Sequence, residues 1–126
     1  MAKDQREPQD IRKRAYTYAL RAIRVYRYLQ KQRDGVGWIL GKQYLRAATS
    51  IGANIEEAQA SESRADFVHK MGIAQKEARE SLYWLRLIAD SQVVANSLLT
   101  ALTQETAELI AVITSIVVNT KFKKVA

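Results

Sequence analysis

Cysteine is absent, histidine and proline occur once each, and glycine occurs five times in 126 residues. Without cysteine there can be no disulfide, no thiolate metal site and no thiol nucleophile, and the absence fits a reducing cytoplasm. With His69 alone, no multi-histidine zinc centre can be built, and a single helical histidine is more often a surface or packing residue than a catalyst. Pro8 and a few glycines leave little to interrupt helices. No uncharged run is long enough for a membrane span. The nearest approach, ELIAVITSIVVNT, has an apolar part shorter than a bilayer requires. The opening residues, MAKDQREPQD, are polar and of mixed charge, unlike a secretory leader.

What is abundant is positive charge. Lys and Arg number 20 against 13 Asp and Glu, a formal charge of +7. The excess is concentrated: residues 1–34 hold ten basic and four acidic side chains, residues 35–62 are slightly acidic, and Lys121, Lys123 and Lys124 make a basic tail. Such a distribution attracts polyanions, although solubility alone also accounts for it.

Hydrophobic periodicity predicts a single all-α domain, an antiparallel up-down four-helix bundle with helices at about 9–33, 38–60, 64–91 and 96–122. The first helix is expected to begin near Pro8 or Asp10, where proline suits the first turn and aspartate caps it. Its apolar face is Ile11, Ala15, Tyr18, Ala19, Ala22, Tyr26 and Leu29. DGVG at 34–37 punctuates its end. The second helix has Tyr44, Ala47, Ala48, Ile51, Ile55 and Ala58 on one face. Ser63 with Asp66 marks the start of the third, whose apolar contacts include Phe67, Met71, Ile73, Ala74, Ala78, Leu82, Leu85 and Ile88. The fourth is apolar around much of its circumference, through Leu98, Leu102, Leu109, Ile110, Val112, Ile113, Ile116 and Val117. Such a helix either sits deep in the monomer or gives its outer face to a subunit interface.

Catalytic chemistry finds little support. Glu56, Glu57, Glu77 and Glu80 have the helical setting of a carboxylate bundle, but the Glu-x-x-His units of a di-iron centre are missing. GVGWILGK lacks both the preceding strand and the ending of a phosphate loop. Ser50 and Ser81 have no histidine relay. The expectation is a protein that is not an enzyme and needs no metal or cofactor.

A more coherent signal lies on the first helix. Lys13, Arg14, Arg21, Arg24, Arg27 and Lys31 fall in a broad stripe opposite the apolar centre, flanked by Tyr16 and Tyr28. Arginine and lysine contact phosphates, and an exposed tyrosine stacks on an unpaired base. The stripe therefore reads as a non-specific or shape-led contact with RNA or DNA. A solvated face, or a surface for an acidic protein, fits the same residues. On the second helix, Gln43, Arg46, Ser50, Asn54 and Glu57 advance by three, four, four and three residues and share one face. Glu80 on the third helix is the expected partner of Arg46. If buried, this line is a structural polar network in which each lost partner costs roughly 1–3 kcal/mol.

The segment RAATSIGANIEEA from Arg46 to Ala58, preceded by Trp38, Leu40 and Gln43, carries a family resemblance. With it go Val25 and Tyr26, then Ser63, Asp66 and Phe67, then Ile73 and Ala74, and finally Glu80 and Tyr83. In this order and spacing the chain resembles the four-helix bundle proteins related to those encoded within intervening sequences of 23S ribosomal RNA genes. It departs from them in lacking a proline near Arg33, in Gly52 where proline is frequent, and in Ala58 where glycine is common. The resemblance implies a cytoplasmic bundle, not associated with membranes, that assembles as a ring-like homopentamer. A related branch, the accessory variability proteins of diversity-generating retroelements, implies association with a reverse transcriptase and its template RNA. For that role the resemblance and the stripe together single out Arg14, Arg21, Arg24, Arg27 and Lys31 as electrostatic contacts. The competing expectation is a structural or protein-interaction scaffold of the same family without nucleic-acid function.

Overall fold

The computed structural model describes residues 11–122, in which four α-helices form a bundle: α1 (Ile11–Gln32), α2 (Gly35–Gln59), α3 (Arg64–Asp90) and α4 (Thr100–Lys121). The expected start of α1 near Pro8 or Asp10 lies outside the described residues. Contacts between helices fix their order. Tyr26 meets Trp38 at one end of the α1–α2 pair and Arg12 meets Glu56 at the other, so these helices run antiparallel. Gln75 Nε2 donates to Thr114 Oγ1 at 2.7 Å between α3 and α4. Arg14 reaches Glu105 across the α1–α4 seam, where the two helices touch far less than the other neighbouring pairs do.

The α1–α2 turn is tighter than the sequence reading expected. The sequence of DGVG predicts a break, with α2 from about Trp38. Instead the helix begins at Gly35, because Asp34 caps it and accepts from the amides of Val36 (2.9 Å) and Gly37 (3.1 Å). Arg33 closes α1 in the left-handed region (φ 57°), a geometry that costs a non-glycine residue on the order of 1 kcal/mol. The glycines inside α2 then have a packing role. A Cβ at Gly41 would lie 2.9 Å from Leu29 Cδ1, so the bare glycine leaves the room that the buried Leu29 side chain of α1 fills.

Ser63 caps α3, its hydroxyl accepting from the Asp66 amide at 3.0 Å. α4 begins four residues later than expected. Asn96–Leu98 form a 3₁₀ turn instead, and the Asn96 carbonyl accepts both the Leu99 amide and the Thr100 hydroxyl.

All six residues expected on the inner face of α2 are buried, as are Ile11, Ala15, Tyr18, Ala22 and Leu29 of α1 and Met71, Ala74, Ala78, Leu85 and Ile88 of α3. Ala19, Tyr26, Phe67, Ile73 and Leu82 are only half-buried. α4 buries a narrow line, Leu102, Thr106, Leu109 and Ile113, whereas Leu98 stands exposed. By length and composition α4 as a whole, Glu105 and Glu108 included, is long and apolar enough to cross a membrane, a property that a core helix of a bundle shares. Its inner line faces the other helices, and Ile110, Val112, Ile116 and Val117 pack against the core partly buried.

The core contains one polar chain. Tyr44 OH donates to Tyr18 OH at 2.9 Å, and Tyr18 OH lies 2.5 Å from Thr106 Oγ1. Thr106 in turn donates to the Leu102 carbonyl at 2.7 Å. Since the threonine proton is used on that carbonyl, Tyr18 is the donor to Thr106, and the chain runs in one sense from α2 through α1 to α4. Burial pushes both phenols above their ordinary pKa.

Candidate nucleic-acid interface

Within the basic stripe of α1, Arg14 stands apart. At the stripe's start, Arg14 makes a bidentate contact with Glu105 of α4, Nε donating at 2.7 Å and Nη2 at 2.9 Å, and Nη2 also reaches Glu108 at 2.5 Å. The Arg14 side chain is 36 % exposed and that of Glu105 19 %. The hydrogen bond to Glu105 raises the guanidinium pKa further. Arg14, expected as an electrostatic contact to nucleic acid, is thus paired with two carboxylates of α4. Its neighbour Arg12 pairs with Glu56 at 3.2 Å on the open surface.

Arg24, Arg27 and Lys31 stand exposed and make no ion pair among the described residues, and the same is true of Lys13. Arg21 is half-buried, close enough to Tyr18 and Tyr44 to favour their ionised forms, though burial outweighs it. Tyr16 and Tyr28 are both exposed. Arg24, Arg27, Tyr28 and Lys31 are spaced by three, four and seven residues from the first, which places them on one face over roughly 10 Å of helix. Nearby, at the start of α2, Lys42 Nζ sits 4.2 Å from the centre of the Trp38 ring, and Trp38 Nε1 donates to Tyr26 OH at 3.2 Å. This end of the bundle thus combines unpaired cations with exposed aromatic rings.

The polar line of α2 is not the buried network that its spacing invited. Arg46 and Glu80 are brought together, Nη2 donating to Oε1 at 2.9 Å, with Glu77 at 3.7 Å from Nη1. Ser50 Oγ and Asn54 Nδ2 instead each donate at 2.8 Å to the carbonyl one turn back in their own helix, those of Arg46 and Ser50. Gln43 and Glu57 are exposed. Serine and asparagine satisfy themselves this way within a helix and need no partner from a neighbour. Glu77 and Glu80 share the Arg46 charge unequally. Arg46 holds Glu80 below the ordinary carboxylate range, while burial and then the adjacent Glu80 push Glu77 up. No group of three or more potential metal-ligating side chains occurs among the described residues.

A cleft of about 180 Å³ opens where α1 passes the connection between α3 and α4. Val25, Leu29, Val94 and Leu99 line it together with Tyr28, Leu98 and Arg24. Nothing in the sequence periodicity announced it, because Val94 and Leu98 belong to a connection outside the four helices.

This geometry defines an all-α four-helix bundle with a basic face on its first helix. A profile of the 23S rRNA-intervening sequence protein family matches residues 7–115, and the chain belongs to that family. Among solved structures, the chain is similar to a protein of unknown function from the S23 ribosomal protein family of Bacteroides thetaiotaomicron VPI-5482. The identity is 35 %, the match covers 85 % of this chain and 97 % of that one, and the TM-score is 0.79. No curated protein matches the chain. Family and fold are consistent with a non-enzymatic protein.

Proposed function

We propose that this protein is a non-enzymatic, oligomeric, nucleic-acid-associated bundle that contacts RNA or DNA through α1. The observation that carries the reading is the run Arg24, Arg27 and Lys31, without ion-pair partners among the described residues, beside Tyr28, with Lys13 and Arg21 extending it toward the start of the helix. Cations without local carboxylates keep their full attraction for phosphate, and every phosphate they neutralise releases counterions. Arg14 supports the surface by anchoring α1 to α4. The resemblance to the accessory proteins of diversity-generating retroelements makes a reverse transcriptase carrying its template RNA, in the cytoplasm, the partner to test first. Binding of a structured RNA across a salt series tests the reading. The expected result is affinity that falls steeply and linearly in log–log form with salt, and absence of binding even at low salt would end it.

The assembly proposed is the homopentameric ring that the resemblance implies. The incompletely covered apolar residues Ile110, Val112, Ile116 and Val117 of α4 support it, with Val118 and Phe122 exposed at its end. Light scattering at several concentrations should find one oligomer, and a persistent monomer would reject the ring.

A second reading, an interaction scaffold without nucleic-acid function, is favoured if the Arg24–Lys31 face meets an acidic protein surface in the assembly. Of the polar line Gln43, Arg46, Ser50, Asn54, Glu57 and Glu80, the Arg46–Glu80 ion pair then joins α2 to α3, while Ser50 and Asn54 bond within α2. Loss of register or assembly in Arg46→Gln is the corresponding sign.

A further inference from the structure

We infer that the cleft between α1 and the α3–α4 connection receives an unpaired nucleobase of a bound RNA or DNA strand. The inference rests on the nucleic-acid reading of α1 and adds to it a single-stranded, base-out ligand. The floor is apolar: Val25, Leu29, Val94 and Leu99 offer aliphatic carbon, with Leu29 almost wholly buried beneath. Tyr28 and Leu98 stand at the mouth, 42 % and 55 % exposed, on opposite elements. Arg24 supplies the charged rim, and Arg27 and Lys31 continue along the same helix face without carboxylate partners among the described residues.

That combination matches the anatomy of a nucleotide. A base has two apolar faces and is joined to phosphate on either side. An apolar slot with an aromatic wall and cations along one edge meets both halves at once. A duplex cannot present its bases this way, because they are held in the stack, so the ligand is a single strand, loop or bulge. A leucine-anchored acidic peptide would use the floor and the cations but gain nothing specific from the phenol ring.

The test is a short oligothymidine strand carrying one central 2-aminopurine, compared with the same strand annealed to its complement. The fluorescence of the single strand should fall on binding, as the base stacks against Tyr28. Tyr28→Ala should weaken strand binding about tenfold, within the range known for loss of a base–aromatic stack. Duplex binding should be unaffected, and Tyr28→Phe should restore the strand. Tyr28 is a surface residue, so the variant keeps its fold. Salt-sensitive binding of both forms, with Tyr28→Ala altering neither, would overturn the cleft assignment while leaving the electrostatic role of α1 intact. Binding of neither form at low salt would remove both. A changed oligomeric state in Tyr28→Ala with unchanged strand affinity would assign the cleft to a second copy. Tyr28-dependent binding of a leucine-bearing polyglutamate peptide, with no strand binding, would assign it to a protein partner.

Discussion

Near its start, α1 turns Arg12 and Arg14 toward carboxylates on other helices, Glu56 on α2 and Glu105 and Glu108 on α4. Near its end, it turns Arg24, Arg27 and Lys31 toward solvent. The residue types are the same and the helix is continuous, so the difference comes from what the neighbours carry. Residues 91–104, which include the α3–α4 connection and the first turn of α4, contain no charged side chain. In the antiparallel arrangement that neutral stretch lies beside the end of α1, and the acids of α4 lie beside its start. Arg12 and Arg14 tie the start of the helix to its neighbours, whereas Lys13 between them and the end of the helix keep their charge unpaired among the described residues.

Four perturbations sharpen this contrast. The largest concerns Tyr18, which ties the paired half of α1 to α2 and α4. Tyr18→Phe leaves Tyr44 without its acceptor and Thr106 without its donor. It should lower unfolding free energy by roughly 1–3 kcal/mol in denaturant titration. Tyr44→Phe removes only the first donor of the chain and should cost less. The same chain sets an alkaline limit. Both phenols are raised in the fold, so the stability they contribute is complete below the unfolded value of 10.0 and is lost as pH rises through and beyond it. Thermal midpoints measured upward from pH 8 should fall past that point, and Tyr44→Phe should soften the fall. Third, Arg14→Gln breaks the partly exposed bidentate pair and strands Glu105, for a loss of about 1 kcal/mol after allowance for solvent screening. Smallest is Arg12→Gln, whose fully surface pair should shift stability by less than about 0.5 kcal/mol. An Arg12→Gln loss as large as that of Arg14→Gln would mean that depth of burial is not what separates the two pairs.

Much of the bundle was legible in the chain because its signals are local. The inner face of α2 follows from period alone, and Ser63 announces α3 through its own side chain. The turn at 34–37 was misread because Asp34 and two glycines spell a loop equally well. Only the Asp34 cap, seen in the fold, shows that α2 already begins there. The polar line of α2 misled for a related reason: spacing puts Ser50 and Asn54 on one face but cannot say that each bonds to its own backbone. The buried polar chain had a usable signal. Tyr18 and Tyr44 lie on apolar faces, a buried phenol needs a partner, and Thr106 interrupts the Leu102, Leu109, Ile113 line of α4. The division of the basic stripe had no signal within α1 itself. It depends on which segment of α4 lies alongside, a tertiary fact.

That division is most directly tested by measuring RNA affinity against salt for two variants of equal charge change at each position altered. One is Arg12→Gln with Arg14→Gln; the other is Arg24→Gln with Arg27→Gln and Lys31→Gln. The account predicts that the first keeps the salt slope of the unaltered protein while losing stability. The second should lose up to about three units of slope, roughly one for each phosphate contact, while keeping its thermal midpoint. Equal slopes for the two variants, or the loss of slope falling on the first, would contradict it.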